Sequence, residues 1–272
     1  MGVGFAVTIL FVVFLGMLRV NERVKGKLLF ILSPIHLFLN ARSLFLVTIL
    51  AGVFSAFQLK VPNKKTRQIL IIGVLTSVVV LFPVATSIYG SLNEAGAFGE
   101  EAKEKHLQQT AGGKVNIIIA GRSESLVSFN AISDKPIFGH GSWAESPYYY
   151  YMYLTHMESV GKDVNWGATD AKERFLIPSH SMLFGAWVYH GIFGAIFWLF
   201  VLYLTLKTIS QTIGTPGSTP LMTIELLVLL VLLWDIFFSP FGQARRCIEA
   251  IYIVVVCVIL AEASNKKTNQ PN

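Results

Sequence analysis

Three residues, two of them where polarity changes along the chain and one inside a long polar stretch, are of the types that handle anions and protons. His180 sits in "IPSHSM", where a long polar stretch passes into the apolar run "LFGAWVYHGIFGAIFW". Arg42 sits in "LNARSL" between two apolar runs, and Arg122 sits in "AGRSES" within the polar stretch. A histidine, with a reference pKa of about 6.5, exchanges a proton at neutral pH. A guanidinium stays charged and donates as a planar fork that fits phosphate or carboxylate oxygens bidentately. Taken singly, each has a plainer reading. His180 can be a boundary or capping residue, Arg42 an anchor whose head reaches water, and Arg122 a solvated surface charge.

What must position these residues follows from composition. Of 272 residues, 53% are hydrophobic and only 14% charged, too apolar for a soluble domain that has to dress its surface with charge. The expected class is an all-α polytopic membrane protein. Cys247 and Cys257 both lie in the last apolar run, so there is no disulfide framework and no thiolate metal spacing. The net charge of +6 sits mostly in short Lys/Arg clusters beside apolar runs, as topology signals do, which excludes a nucleic-acid partner.

A hydrocarbon core of about 30 Å requires roughly 20 apolar residues per helix, fewer where flanking Lys or Arg snorkel. On that measure about seven transmembrane helices are expected, at roughly 2 to 18, 28 to 39, 43 to 59, 68 to 88, 181 to 206, 219 to 238 and 247 to 262. The second is short and is expected to form a tight hairpin or partly re-entrant pair with the third around "LNARS". The basic runs "RVNERVKGK" and "KVPNKKTR" belong on the cytoplasmic side. The chain then divides into N-terminal transmembrane helices over 1–88, one large extracytoplasmic (periplasmic) loop over 89–179, and C-terminal transmembrane helices with a cytoplasmic tail over 180–272. Met1 runs almost directly into the first span, so no cleaved signal peptide is expected there; the expectation is either that the chain is the C-terminal part of a longer protein or that its start is misassigned.

The loop is too long and varied to be a mere connector. "EEAKEKHLQQ" reads as a short surface helix and "DKPIFGHG" as a Pro/Gly turn cluster. "SPYYYYMYLTHM" carries five tyrosines, rings suited to a membrane interface or to stacking on a sugar. Further polar candidates are Glu124 and Glu145 as bases, His140 as a turn residue and His190 as a residue buried in a span. Asp235, Arg245, Arg246 and Glu249 cluster near the ends of the last two apolar runs, where charge inside a bilayer calls for internal ion pairing.

Order and wording together carry a resemblance. "NARS", then "GRSESLVSFNAISDKPIFGHG", then "PSHSMLFGAWVYHGIFGAIFW" resembles the O-antigen ligase family of membrane glycosyltransferases over roughly residues 28 to 210. Arg42 lies where that family has a Ser-Arg-small motif. Arg122 stands in its Gly-Arg, followed by the Pro-x-x-Gly-x-Gly turn of Pro136, Gly139 and Gly141. His180 matches the His of a His-Asn pair, and Gly191 and Gly194 match a Gly-x-x-Gly after it. Ala41 and Ser181 depart from the usual Ser and Asn, and Leu126 stands where an aromatic is often found.

The resemblance implies a multi-pass protein of the bacterial inner membrane that transfers a glycan from an undecaprenyl-diphosphate carrier to an acceptor hydroxyl, lipid A core in a ligase. The alternatives are a polysaccharide polymerase, which extends a growing lipid-linked glycan, and an inactive or partial family member. On this reading Arg42 and Arg122 bind the pyrophosphate and His180 is the general base or acceptor-orienting residue. No metal and no cofactor are called for, since cationic side chains take the role a metal ion has in sugar-nucleotide enzymes.

Overall fold

The computed structural model describes residues 2–18, 20–39, 41–57, 123–159, 175–214 and 221–268, with Val164 and scattered positions between 63 and 107. Among these the chain is helical. Its helices are α1 (Gly2–Met17), α2 (Glu22–Leu32), α3 (Ile35–Phe38), α4 (Arg42–Phe57), α5 (Ser123–Asp134), α6 (Pro147–Ser159), α7 (Met182–Gly214), α8 (Met222–Phe238) and α9 (Gln243–Thr268). No strand occurs among the described residues; an isolated antiparallel bridge joins Glu145 and Leu176. Two compact units form: one from Met1–Thr76, Phe200–Asp235 and Gly242–Asn272, the other from Ser77–Leu199 and Ile236–Phe241.

Two of the described helices are long and apolar enough to cross a membrane, over Met182–Ile213 and Arg245–Asn265. α1 and α4 are apolar but have 16 residues each. At 1.5 Å per residue each reaches about 24 Å, short of a hydrocarbon core of roughly 30 Å. The expected span at 68 to 88 lies almost entirely outside the described residues, while of the helix expected over "EEAKEKHLQQ" Glu100, Lys103, Glu104 and Leu107 are described, and each is helical.

In the first unit, the segment expected as one short span over 28 to 39 is instead broken. α2 ends at Leu32, and α3 begins only at Ile35. Pro34 has no N–H to continue the ladder, and the Ser33 hydroxyl donates to the Phe30 carbonyl at 2.7 Å, taking an acceptor that a continuing helix would use. The hairpin itself is present. A Cβ on Gly26 would lie 2.4 Å from the Ala56 nitrogen, and one on Gly52 would lie 2.8 Å from the Phe30 nitrogen. The pairing of 26 with 56 and 30 with 52 makes α2 and α4 antiparallel, with glycines permitting the close approach.

Lys25, one of the basic residues read as a topology signal, is buried rather than solvated, with its Nζ 2.6 Å from Glu22 Oε1. Glu22 Oε2 in turn accepts from both the backbone N–H and the hydroxyl of Thr223 at 2.8 Å. A buried charge persists only when paired in this way. The contact fixes the first turn of α2 to the first turn of α8, whose side chains from Leu226 through Leu232 are all buried, as in a helix apolar on every face.

In the second unit the described part of the polar stretch folds. Val127, Ala131 and Ile132 of α5, Tyr149 of α6, Val188 of α7 and Ile177 in the segment before α7 form one core, with Met152, Tyr153, Phe184 and Trp187 against it. Ser146 N–H donates to the Phe175 carbonyl at 2.7 Å and Ile177 N–H to the Ala144 carbonyl at 3.2 Å. These bonds lay the segment before His180 along the loop that enters α6.

Candidate functional site

His180 immediately precedes the cap of α7. The Phe184 N–H donates to Ser181 Oγ at 3.2 Å, which makes Ser181 the N-cap residue, and Gly185 N–H closes the first helical bond to the Ser181 carbonyl at 2.9 Å. The Ser181 hydroxyl donates to the Ile236 carbonyl in the last turn of α8 at 3.0 Å. Serine ranks with asparagine among the strong N-cap residues. His180 is exposed at the N-terminal end of the helix and its ring has no hydrogen-bond partner among the described residues.

The two glycine motifs prove to be one structure. α7 is broken at Gly191, whose backbone has φ 64° and ψ −154°. The break frees carbonyls and N–H groups of the helix, and the Pro136–Gly141 turn takes them up. His140 N–H donates to the Val188 carbonyl at 2.8 Å, Gly141 N–H to the Tyr189 carbonyl at 2.9 Å, and Ile192 N–H to the Ile137 carbonyl at 3.1 Å. Trp187 Nε1 adds a bond to the Pro136 carbonyl at 3.0 Å. A Cβ on Gly194 would meet the Ala186 carbonyl oxygen at 2.3 Å, so both glycines of the Gly-x-x-Gly serve the kink.

Two of the alternative acids and bases, His140 and Glu124, are committed to this scaffold. His140 Nε2 lies 2.8 Å from the Ala131 carbonyl, which only accepts, so Nε2 carries the proton. Its ring meets Tyr149 edge-on at 5.2 Å. Glu124 Oε1 accepts from the Tyr153 hydroxyl at 3.2 Å, and the Tyr149 hydroxyl donates to Asp134. Burial first, and then the neighbouring carboxylates, raise both phenols, Tyr153 to about 12 and Tyr149 further. Glu145 is exposed at the bridge with Leu176. His190, expected to be buried in a span, is exposed instead, because the chain breaks at the next residue.

Of the two arginines, Arg122 lies outside the described residues, as does the side chain of Arg42. Their settings are described. Arg122 directly precedes α5, whose first residue, Ser123, is fully buried with no partner for its hydroxyl among the described residues. Ser128, in the second turn of α5, donates to the Pro178 carbonyl at 3.1 Å. That bond brings the helix after Arg122 beside the segment that ends in His180.

Arg42 belongs to the other unit and opens α4. Its neighbours Ala41 and Ser43 line a cavity of about 220 Å³ that is also walled by Trp234, Asp235, Arg245 and Tyr252. Arg245 Nη1 lies 2.5 Å from Asp235 Oδ1 and 4.0 Å from Glu249 Oε1. The internal pairing expected of this cluster is thus present, and two carboxylates face one guanidinium. Arg245 is neutralised where it stands, which leaves it poorly suited to hold an added anion.

No family model, no curated protein and no solved structure matches the chain. Among the described residues, fold and site define a helical protein with two helices long and apolar enough to cross a membrane and a folded unit that presents His180 at a helix start.

Proposed function

We propose that this is a multi-pass protein of the bacterial inner membrane that transfers a glycan from an undecaprenyl-diphosphate-type carrier to an acceptor hydroxyl at the periplasmic face, in the manner of an O-antigen ligase. The shorter apolar helices span with snorkelling ends, giving about seven passes, and the unit containing α5 and α6 is periplasmic. The acceptor oxygen bonds to the anomeric carbon as the bond from that carbon to the carrier's pyrophosphate oxygen breaks. The electron pair leaves with the undecaprenyl diphosphate, and the hydroxyl proton passes to His180. Arg122 and Arg42 bind the pyrophosphate and stabilise the charge that builds on it.

The observation that carries this reading is the Ser128 to Pro178 hydrogen bond, which ties the helix following Arg122 to the segment ending at His180. The helix that Arg122 precedes in sequence and the segment that ends in His180 then belong to one folded unit. The test is reconstitution of the whole chain in proteoliposomes with a labelled lipid-linked glycan and a lipid A core acceptor. Labelled acceptor is the expected product. Donor consumed into longer lipid-linked chains makes the protein a polymerase, and no transfer at all overturns catalysis by this chain alone.

A further inference from the structure

The turn that plugs the kink in α7 leaves its own apolar side chains outside. Phe138 is 80% exposed and Ile137 57%, although both sit between residues whose backbones are tightly bonded to α7. Trp143, a few residues on, is also exposed and is held at φ 56°, an uncommon conformation for a bulky residue. A turn built for solvent would place polar residues here.

The position of the turn along α7 says what covers it. Ile192 N–H donates to the Ile137 carbonyl, so the turn is fastened where the unbroken apolar part of α7 begins. Immediately beyond, Phe193, Ile196 and Phe197 lie at helical spacing on one face and are exposed, Phe193 by 65%. This helix is long and apolar enough to cross a membrane. The exposed side chains of the turn therefore continue an apolar surface that starts on the span, at its end nearest His180. Lys135, exposed where α5 gives way to the turn, supplies a cation at the level of lipid phosphates. Trp143 is of the type enriched at the membrane boundary.

We propose that the Pro136–Trp143 turn is a membrane-inserted wedge whose Ile137 and Phe138 enter the outer part of the lipid bilayer beside α7. The inference rests on the membrane-spanning reading of α7. Its partner is the lipid itself, and it holds the folded unit at headgroup depth, so that His180 at the start of the same helix meets a substrate anchored in that layer.

The test uses the whole chain in phospholipid vesicles, with Cys247 and Cys257 changed to alanine and single cysteines placed by Phe138→Cys, Phe197→Cys and Ser133→Cys. Both native thiols are exposed on α9, and all three new positions are exposed. Each is labelled with an environment-sensitive fluorophore and challenged with spin-labelled phospholipid and with aqueous iodide. The expected result is lipid quenching at 138 and 197 with little effect of iodide, and the reverse at 133. Iodide quenching at 138, with 197 still quenched by lipid, overturns the wedge alone. Protection of 138 from both quenchers also overturns it, in favour of a protein surface such as a second copy. Absence of lipid quenching at 197 overturns the spanning reading of α7 and the wedge with it.

Discussion

A methyl group on Gly139 would lie 2.5 Å from the backbone nitrogen of Gly191, and one on Gly191 would lie 2.0 Å from the carbonyl oxygen of Ile137. Both residues have positive φ, so each substitution combines backbone strain of about 1 to 2 kcal/mol with a backbone clash that no rotamer relieves. Gly139→Ala and Gly191→Ala should each lower stability by more than about 2 kcal/mol. Gly141→Ala is the internal control. Its φ is also positive, but a Cβ there meets nothing within 4 Å, so only the strain remains. Thermal unfolding of the purified proteins in detergent should rank 141 as the mildest; equal losses at all three would remove the interlocked turn as the cause.

Ser181 and His180 are adjacent and should fail differently. Ser181→Ala removes the cap of α7 and leaves the Ile236 carbonyl without its donor, for a loss of about 1 to 2 kcal/mol. Ser181→Asn restores a capping acceptor and should recover part of that loss. Transfer activity per folded molecule should stay near the parent in both. A melting temperature unchanged by Ser181→Ala would show that the hydroxyl does not hold the helix start.

The helices were legible where apolar runs were long, because burial and lipid both select the same residue types over the same lengths. Thus α7 and α9 appear where "LFGAWVYHGIFGAIFW" and "IYIVVVCVIL" stand. The break at Ser33–Pro34 was written in the proline, yet the expected span ran through it because hydropathy counts composition and not backbone donors. In the site, "DKPIFGHG" announced a turn and "HGIFG" a pair of glycines, but nothing local states that the first plugs the second. That pairing depends on hydrogen bonds between residues some fifty positions apart, as His140 with Val188. The exposure of His190 follows from the same break and was hidden with it. The Asp235–Arg245 pair was foreseeable because charge in an apolar run must find a partner.

Alkaline pH should loosen the unit that contains α5 and α6. A free tyrosine ionises near pH 10, whereas Tyr153 in the folded unit holds its proton to about 12. Below pH 10 both states are protonated and the contribution of Tyr153 is fully present. Between about 10 and 12 the unfolded chain loses a proton that the folded one keeps, so stability falls by about 1.4 kcal/mol per pH unit for each such phenol. Tyr153→Phe cannot ionise, and its stability should decline less steeply than the parent's over that interval. Thermal unfolding followed from pH 8 upward compares the two slopes, and parallel slopes would sink the assignment.

The last expectation separates a pyrophosphate clamp from an anchor at Arg42 and a proton acceptor from a boundary residue at His180. An anchor needs only a long stem and a charge, so Arg42→Lys should be nearly silent if Arg42 merely snorkels from the start of α4. A clamp uses the planar fork, and lysine supplies one point charge in its place. Arg42→Lys should then be almost as impaired as Arg42→Ala, with weaker donor binding as well as slower transfer, since the contact exists before reaction and strengthens as charge develops. His180→Ala should lower turnover by a factor of about 100 to 10,000 while donor binding persists, the pattern of a lost acid–base group. Neither change should reduce the amount of folded protein in the membrane, because His180 is exposed and its neighbour Ser181, not the imidazole, caps the helix. Quantifying donor binding, transfer and membrane accumulation for the three variants decides the matter. Full transfer by Arg42→Lys returns that residue to an anchor, and loss of accumulation in His180→Ala makes the histidine structural.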